Sequence, residues 1–121
     1  FNYIGLLFMI VGFLWEVIGD NQLNNFKKDI NNKNKFLKNG LWALSRHPNY
    51  FGEIVFWWGV FIFSILSPIS LISIIGPIVF TYLLVNVTGV KTMDKRMAKN
   101  YEGYSEYIKK TNSIIPKLNV R

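Results

Sequence analysis

Cysteine is absent from the 121 residues, and histidine occurs once. The first absence excludes disulfides, zinc–thiolate centres and cysteine nucleophiles. The second excludes a multi-histidine metal site within the chain. Acidic residues are scarce, seven against fourteen lysines and arginines, and between positions 29 and 94 the only one is Glu53. Lysine and arginine are themselves missing from three long stretches, and apolar residues fill those stretches.

The apolar segments are YIGLLFMIVGFLWEVIGD, FGEIVFWWGVFIFSILSPI and ISLISIIGPIVFTYLLVNVTGV, with spans expected at about residues 3–19, 49–66 and 69–90. Crossing a bilayer core of about 30 Å as a helix takes about 20 residues. None of the three shows the polar face that a helix packed in a soluble protein normally carries. All fourteen basic residues fall in two places: six between the first and second segments, eight after the third. Three spans would put both groups on one side, and the positive-inside rule makes that side cytoplasmic. The N-terminus is then outside and the C-terminus inside. A net charge of +7 also fits nucleic-acid binding, but the segregation of the basic residues is explained by membrane topology instead.

The expected fold class is therefore all-α: an integral membrane helical bundle with three transmembrane helices and a C-terminal amphipathic segment. Residues 1–121 form a single membrane domain, read as the C-terminal portion of a longer protein because it opens on Phe1 inside an apolar run. Residues 20–47 make a basic, irregular cytoplasmic loop, and 91–121 a cytoplasmic tail. Ser67-Pro68 is expected as a tight turn between the last two spans. Gly76-Pro77 should kink the third. Tyr101, Tyr104 and Tyr107, three apart, should share a face of one or two short surface helices.

The stretch SRHPNYFGE, residues 45–53, holds the lone histidine and the lone mid-chain acid. Pro48 suits the first helical position, where its missing N–H would be unpaired anyway, which makes His47 the N-cap. Free N–H groups at that helix start, together with Arg46 and His47, suit a phosphate or pyrophosphate. Asn49 and Glu53 are four apart and share one helix face. A carboxylate one turn into a span costs about 2–3 kcal/mol, so Glu53 must be paired, protonated or facing a polar cavity. The bland alternative is a neutral Glu53 bonded to Asn86 of the third segment. Glu16 and Asp20, also four apart, repeat the pattern at the cytoplasmic end of the first segment.

GLWALSRHPNYFGE followed by WWG resembles the C-terminal domain of the steroid 5-alpha-reductase-like family. It also resembles the sterol C14/C7 reductases, which carry a similar RHPNY-x-G-acid stretch. GDNQLNNFK upstream and YSEYIKKTNSIIP at the end match the same pattern, so the resemblance spans Gly19 to Pro116. It is nearest to a bacterial membrane subfamily whose members mostly lack an assigned substrate. The same superfamily holds the isoprenylcysteine carboxyl methyltransferases, which use S-adenosylmethionine and share RHP-x-Y-x-G. Asn49 and Glu53 follow the reductase version.

The resemblance implies an oxidoreductase that uses NADPH to reduce a carbon–carbon double bond in a steroid-, enone- or polyprenoid-like lipid. It implies cofactor contacts at Asn49, Asp20, Lys27, Arg46, His47 and Tyr50, and a catalytic role for Glu53 in holding the substrate carbonyl. Lys27 stands where the steroid enzymes prefer arginine. No metal and no nucleic acid is expected; the bilayer and a lipid-like small molecule are the partners, in a bacterial inner membrane. The competing readings are an S-adenosylmethionine-dependent methyltransferase of the same fold and a non-catalytic membrane subunit.

Overall fold

A computed structural model describes residues 3–65 and 68–117. Among the described residues all regular structure is helical, with no strand. The long helices are α1 (Tyr3–Lys28) and α2 (Pro48–Phe63), followed by α3 (Ile75–Leu83), α4 (Val90–Asn100) and α5 (Tyr104–Lys110).

Helix α1 continues through residues 20–28, which the sequence reading assigned to the loop. Asn21 to Lys28 include Gln22, Leu23 and two lysines, which favour helix, and no Gly or Pro to end it, and Lys27 and Lys28 sit in the last turn, where cations favour the helix dipole. The loop that follows is less irregular than its composition suggests. It forms 3₁₀ turns at Ile30–Asn32 and Gly40–Ala43. The backbone N–H of Leu41 donates to Gln22 Oε1 (3.0 Å), and the Trp42 indole donates to the Gly19 carbonyl (3.1 Å). Both bonds fasten the loop back onto α1.

Glycines set the packing of α1 against α2. Gly5, Gly12 and Gly19 recur every seven residues on α1 and are buried, as are Gly52 and Gly59 on α2. A Cβ on Gly12 would lie 2.6 Å from the Gly52 carbonyl oxygen, and one on Gly59 would lie 2.9 Å from that of Gly5. The two helices thus run antiparallel at backbone contact, the arrangement small residues permit between helices in lipid. Gly19 at the end of this seam faces Pro48 and Asn49, which fixes where α2 begins relative to α1.

Among the described residues, two helices are long and apolar enough to cross a membrane: Tyr3–Lys28 and a continuous helical run, Ser70–Asn100. Helix α2, at 16 residues, is shorter than the expected 49–66 span and falls below that length. The turn at Ser67 lies outside the described residues. The third segment is not a uniform α-helix. It starts as a 3₁₀ helix over Pro68–Ile74, becomes α-helical at Ile75, and widens into a π-helix at Leu84–Thr88. Gly76 and Pro77 lie in the first α-helical turn, where a missing N–H is tolerated. They lie just after the winding changes from 3₁₀ to α. The π turn is closed by the Gly89 N–H donating to the Leu84 carbonyl (3.1 Å), and Gly89 is needed there because a Cβ would lie 2.5 Å from that oxygen. Helix α3 touches α2 through the Trp58 indole, which donates to Thr81 Oγ1 (3.0 Å).

Candidate functional site

Pro48 occupies the first turn of α2 with His47 as N-cap, as the sequence predicts. The three residues before it do not end in solvent, because the C-terminal tail lies against them. The Arg46 N–H donates to the Asn112 carbonyl (2.8 Å), the His47 N–H to that of Ser113 (3.0 Å), and the Lys117 N–H to that of Leu44 (2.9 Å). Ser45, Arg46 and His47 are buried, at 0%, 7% and 4% exposure.

All three carry buried polar side chains: Ser45 Oγ has no hydrogen-bond partner among the described residues, and Asp94 of α4 serves the other two. Arg46 Nη1 donates to Asp94 Oδ2 at 2.7 Å, and His47 Nε2 sits 3.0 Å from Oδ1. Arg46 Nε donates to the Thr111 carbonyl (3.2 Å). A buried guanidinium is tolerable only when paired and hydrogen-bonded, and here it is both. Its charge is therefore matched within the protein. The His47 ring in turn stacks on Tyr50, with centroids 4.9 Å apart and planes 8° from parallel. Nothing in the sequence marked Asp94, a single acid in the run VKTMDKRMAKN.

Tyrosines of α5 complete the clamp. The Tyr107 hydroxyl donates to the Trp42 carbonyl. Phe36 packs against Tyr101, Tyr104 and Tyr107 with centroids 6.3, 4.9 and 5.2 Å away, so the three-residue spacing does place the tyrosines on one side. Gly103, with φ of +87°, breaks the helix between the first two. Burial, with Asp94 nearby, pushes the Tyr104 phenol up to about 12. Burial and Tyr104 push Tyr107 higher still. Both remain neutral hydroxyls at physiological pH.

Between the end of α1, the start of α2, α4 and α5 lies a cavity of about 440 Å³. Lys27, Arg46, His47, Asn49 and Tyr50 line it, joined by Arg96, Asn100 and Tyr104, with Leu23, Met93 and Met97 as apolar wall. Five of the six residues expected at a cofactor therefore meet on one cavity, although they come from two separate stretches of sequence. Asp20 does not line it. Asn49 Oδ1 accepts from the Tyr50 N–H (3.0 Å), which leaves its amide nitrogen as a donor. Lys27 and Arg96 form no ion pair among the described residues, whereas Arg46 does. The cations free to meet an anion are thus Lys27 and Arg96, and Arg96 was not foreseen.

Glu53 lies one turn beyond Asn49 and does not line this cavity. It lies within electrostatic reach of Glu16 and Asp20 across the glycine seam. A Cβ on Gly52 would meet the Glu16 backbone nitrogen at 2.6 Å, so the two pairs read separately from sequence, Glu16/Asp20 and Asn49/Glu53, are neighbours. Among the described residues no hydrogen bond joins Glu53 to Asn86. Among the described residues no group of His, Cys, Asp and Glu could hold a metal ion. Trp15 Nε1 is buried nearby without a hydrogen-bond partner, its ring edge-on to Phe51 at 5.7 Å.

The model of a family described as protein of unknown function (DUF1295) matches residues 1–111, nearly the whole chain, and the chain belongs to that family. No curated protein and no solved structure matches it.

Proposed function

We propose that this member of the family is the cofactor-binding part of a membrane-embedded, NADPH-dependent reductase. It would reduce a carbon–carbon double bond in a hydrophobic, lipid-like substrate, in the manner of the steroid 5-alpha-reductase-like enzymes. The observation that carries the reading is the convergence of Lys27, Arg46, His47, Asn49 and Tyr50 on one cavity. Of these, Asn49 follows the reductase version of the motif rather than the methyltransferase one, and folding gathers all five where a ligand fits.

Exposure supports the membrane setting. In the most apolar windows of the two long helices, 17% and 0% of residues are buried, whereas a core helix of a soluble protein would be mostly covered. Leu7, Phe13, Ile75 and Tyr82 are among the large apolar side chains left outside. Helix α2, held to α1 through glycine, is the third crossing in this reading, with the basic loop and tail on the cytoplasmic side. The chain sits in this way in a bacterial inner membrane.

The residues present fit the cofactor. Lys27 and Arg96 would neutralise its phosphates, the Asn49 amide would hold its nicotinamide end, and Tyr50 would offer a ring face. Arg46 and His47 serve differently: paired with Asp94, they keep the wall and the start of α2 in place. Lysine at position 27 gives a point charge rather than a planar fork, which loosens the preference for NADPH over NADH. When bound, NADPH supplies the hydride.

Glu53, one turn deeper in the bilayer, would meet the substrate. Adding hydride to the β carbon of an enone builds negative charge on the carbonyl oxygen, and a donor aimed at that oxygen lowers the barrier most in a dry site. A protonated Glu53 is that donor, with Glu16 and Asp20 beside it.

The deciding experiment titrates the detergent-purified protein with NADPH and, separately, with S-adenosylmethionine, using Asn49→Ala as control. Saturable NADPH binding that weakens at least tenfold in the variant is the expected result. Binding of S-adenosylmethionine alone would replace the reductase with a methyltransferase. Binding of neither would favour a non-catalytic subunit.

A further inference from the structure

A second cavity, of about 540 Å³, shares Lys27 and Tyr101 with the first and lies under the loop that follows α1. Lys28, Lys33 and Lys35 line it together with Phe36. The one acid on its wall, Asp29, accepts from the Asn31 N–H (2.9 Å) and pairs with none of these lysines. The cavity is therefore a concentration of uncompensated positive charge with an aromatic wall. The reductase chemistry uses none of it beyond Lys27.

We infer that this cavity binds the phosphate headgroup of an anionic membrane lipid, a reading that rests on the membrane placement proposed above. Two observations favour a lipid over a phosphate free in solution. The cavity begins at Leu23, little more than one turn beyond Ile18, the last exposed large apolar residue of α1, so it lies at headgroup depth once that helix is embedded. Ile30, on the cavity wall, is 82% exposed, an apolar side chain that the less polar part of a lipid headgroup region, but no free phosphate, would cover. Lysines clustered just beyond a span attract anionic lipids, and a compact ammonium imposes no particular phosphate geometry. The headgroup would neutralise the loop and hold it against α1, beside the shared wall of the cofactor cavity.

The alternative is that these lysines only satisfy the charge rule, in which case their position in a cavity is irrelevant. Native mass spectrometry of the detergent-purified protein with phosphatidylglycerol and phosphatidylcholine separates the two. Expected is one retained phosphatidylglycerol per chain, weak retention of phosphatidylcholine, and a loss of roughly a hundredfold in affinity in Lys28→Gln/Lys33→Gln/Lys35→Gln. Lys95→Gln/Lys99→Gln/Lys110→Gln removes the same charge outside the cavity and should bind as the parent does. Equal losses in the two triple variants, equal retention of the two lipids, or competition by millimolar inorganic phosphate as strong as by lipid would each overturn the proposal. Circular dichroism of both variants checks that their helix content is intact. Titration with NADPH on the same preparations reads the first cavity separately, and resistance of the parent to alkaline extraction from membranes checks its placement. Loss of lipid binding with NADPH binding and membrane insertion retained therefore bears on this site alone.

Discussion

Arg46 and Asp94 are 48 positions apart in sequence and 2.7 Å apart in space. That contact joins the start of α2 to α4, and His47 shares the same carboxylate. Removing Asp94 leaves a buried guanidinium without a counter-charge. Asp94→Ala should lower stability by about 3–5 kcal/mol in a detergent unfolding assay. Arg46→Met added to Asp94→Ala should recover much of that loss, since it removes the charge that was stranded. A double variant no more stable than the single would show that the pair does not act as a unit.

The seam between α1 and α2 has no room for a side chain at Gly12 or Gly52, where a Cβ would press on backbone at 2.5–2.6 Å. Gly52→Ala should force the helices apart and lower stability by about 1–3 kcal/mol. NADPH binding should weaken with it, because Asn49 and Tyr50 ride on the same helix. Gly103→Asn tests the opposite case: nothing lies within 4 Å there, so only the backbone strain of φ +87° is at stake, which asparagine bears better than other non-glycine residues. It should cost about 1 kcal/mol, with NADPH binding unchanged.

Lys27 and Arg96 are the unpaired cations of the first cavity. Lys27→Gln and Arg96→Gln should each weaken NADPH about tenfold, the factor expected for about 1.4 kcal/mol of lost charge-assisted bonding. Isothermal calorimetry at two ionic strengths reads it out, and the parent's affinity should fall with salt more steeply than either variant's.

On the proposed reading, substrate chemistry and cofactor binding separate at Glu53. Glu53→Gln keeps shape but replaces the carboxyl group by an amide, which is a poorer donor to a developing oxyanion. Turnover of a lipid enone should fall about 100-fold while NADPH affinity stays within about twofold. Equal losses in both would place Glu53 in cofactor binding instead.

Alkaline pH should loosen the clamp of α5. Tyr104 is held protonated to about 12 by burial, against about 10 in the unfolded chain. The folded state therefore retains a proton that the unfolded state has lost, so stability is unaffected below about pH 10 and falls as pH rises from there toward 12. Tyr107, raised for the same reason, adds to the slope. Tyr107→Phe should cost about 1–2 kcal/mol at neutral pH, from the bond to the Trp42 carbonyl, and should flatten the alkaline fall. Thermal unfolding from pH 8 to 11 measures both effects.

Local signals were legible because local physics produced them. Pro48 placed the start of α2 to the residue, and the uninterrupted apolar runs marked the helices of the first and third segments. The tyrosine spacing pointed to the packing around Phe36. Long-range pairing was not legible. Asp94 sits among lysines in a segment that looks solvated, and only folding shows its two partners. The seven-residue glycine recurrence on α1 and α2 was visible in principle, but apolar content hides it from a count of hydrophobic residues. The helix types of the third segment were hidden for a similar reason. An isoleucine-rich run is compatible with 3₁₀, α or π winding, and the choice depends on neighbours.

The glycine seam also determines how a greasy molecule can travel. Where two backbones touch, no acyl or isoprenoid chain passes between them, so the gap between α1 and α2 is shut along its length. Helix α3 leans on α2 far more loosely, and a small apolar hollow of about 230 Å³ opens there between Trp57, Gly76, Pro77 and Phe80. On the proposed reading, a substrate coming from the bilayer toward the carboxyl groups would be confined to one flank of α2. Bulk added at Gly76, where nothing lies within 4 Å, should fill that hollow without disturbing the fold and, on that reading, slow turnover of a lipid substrate.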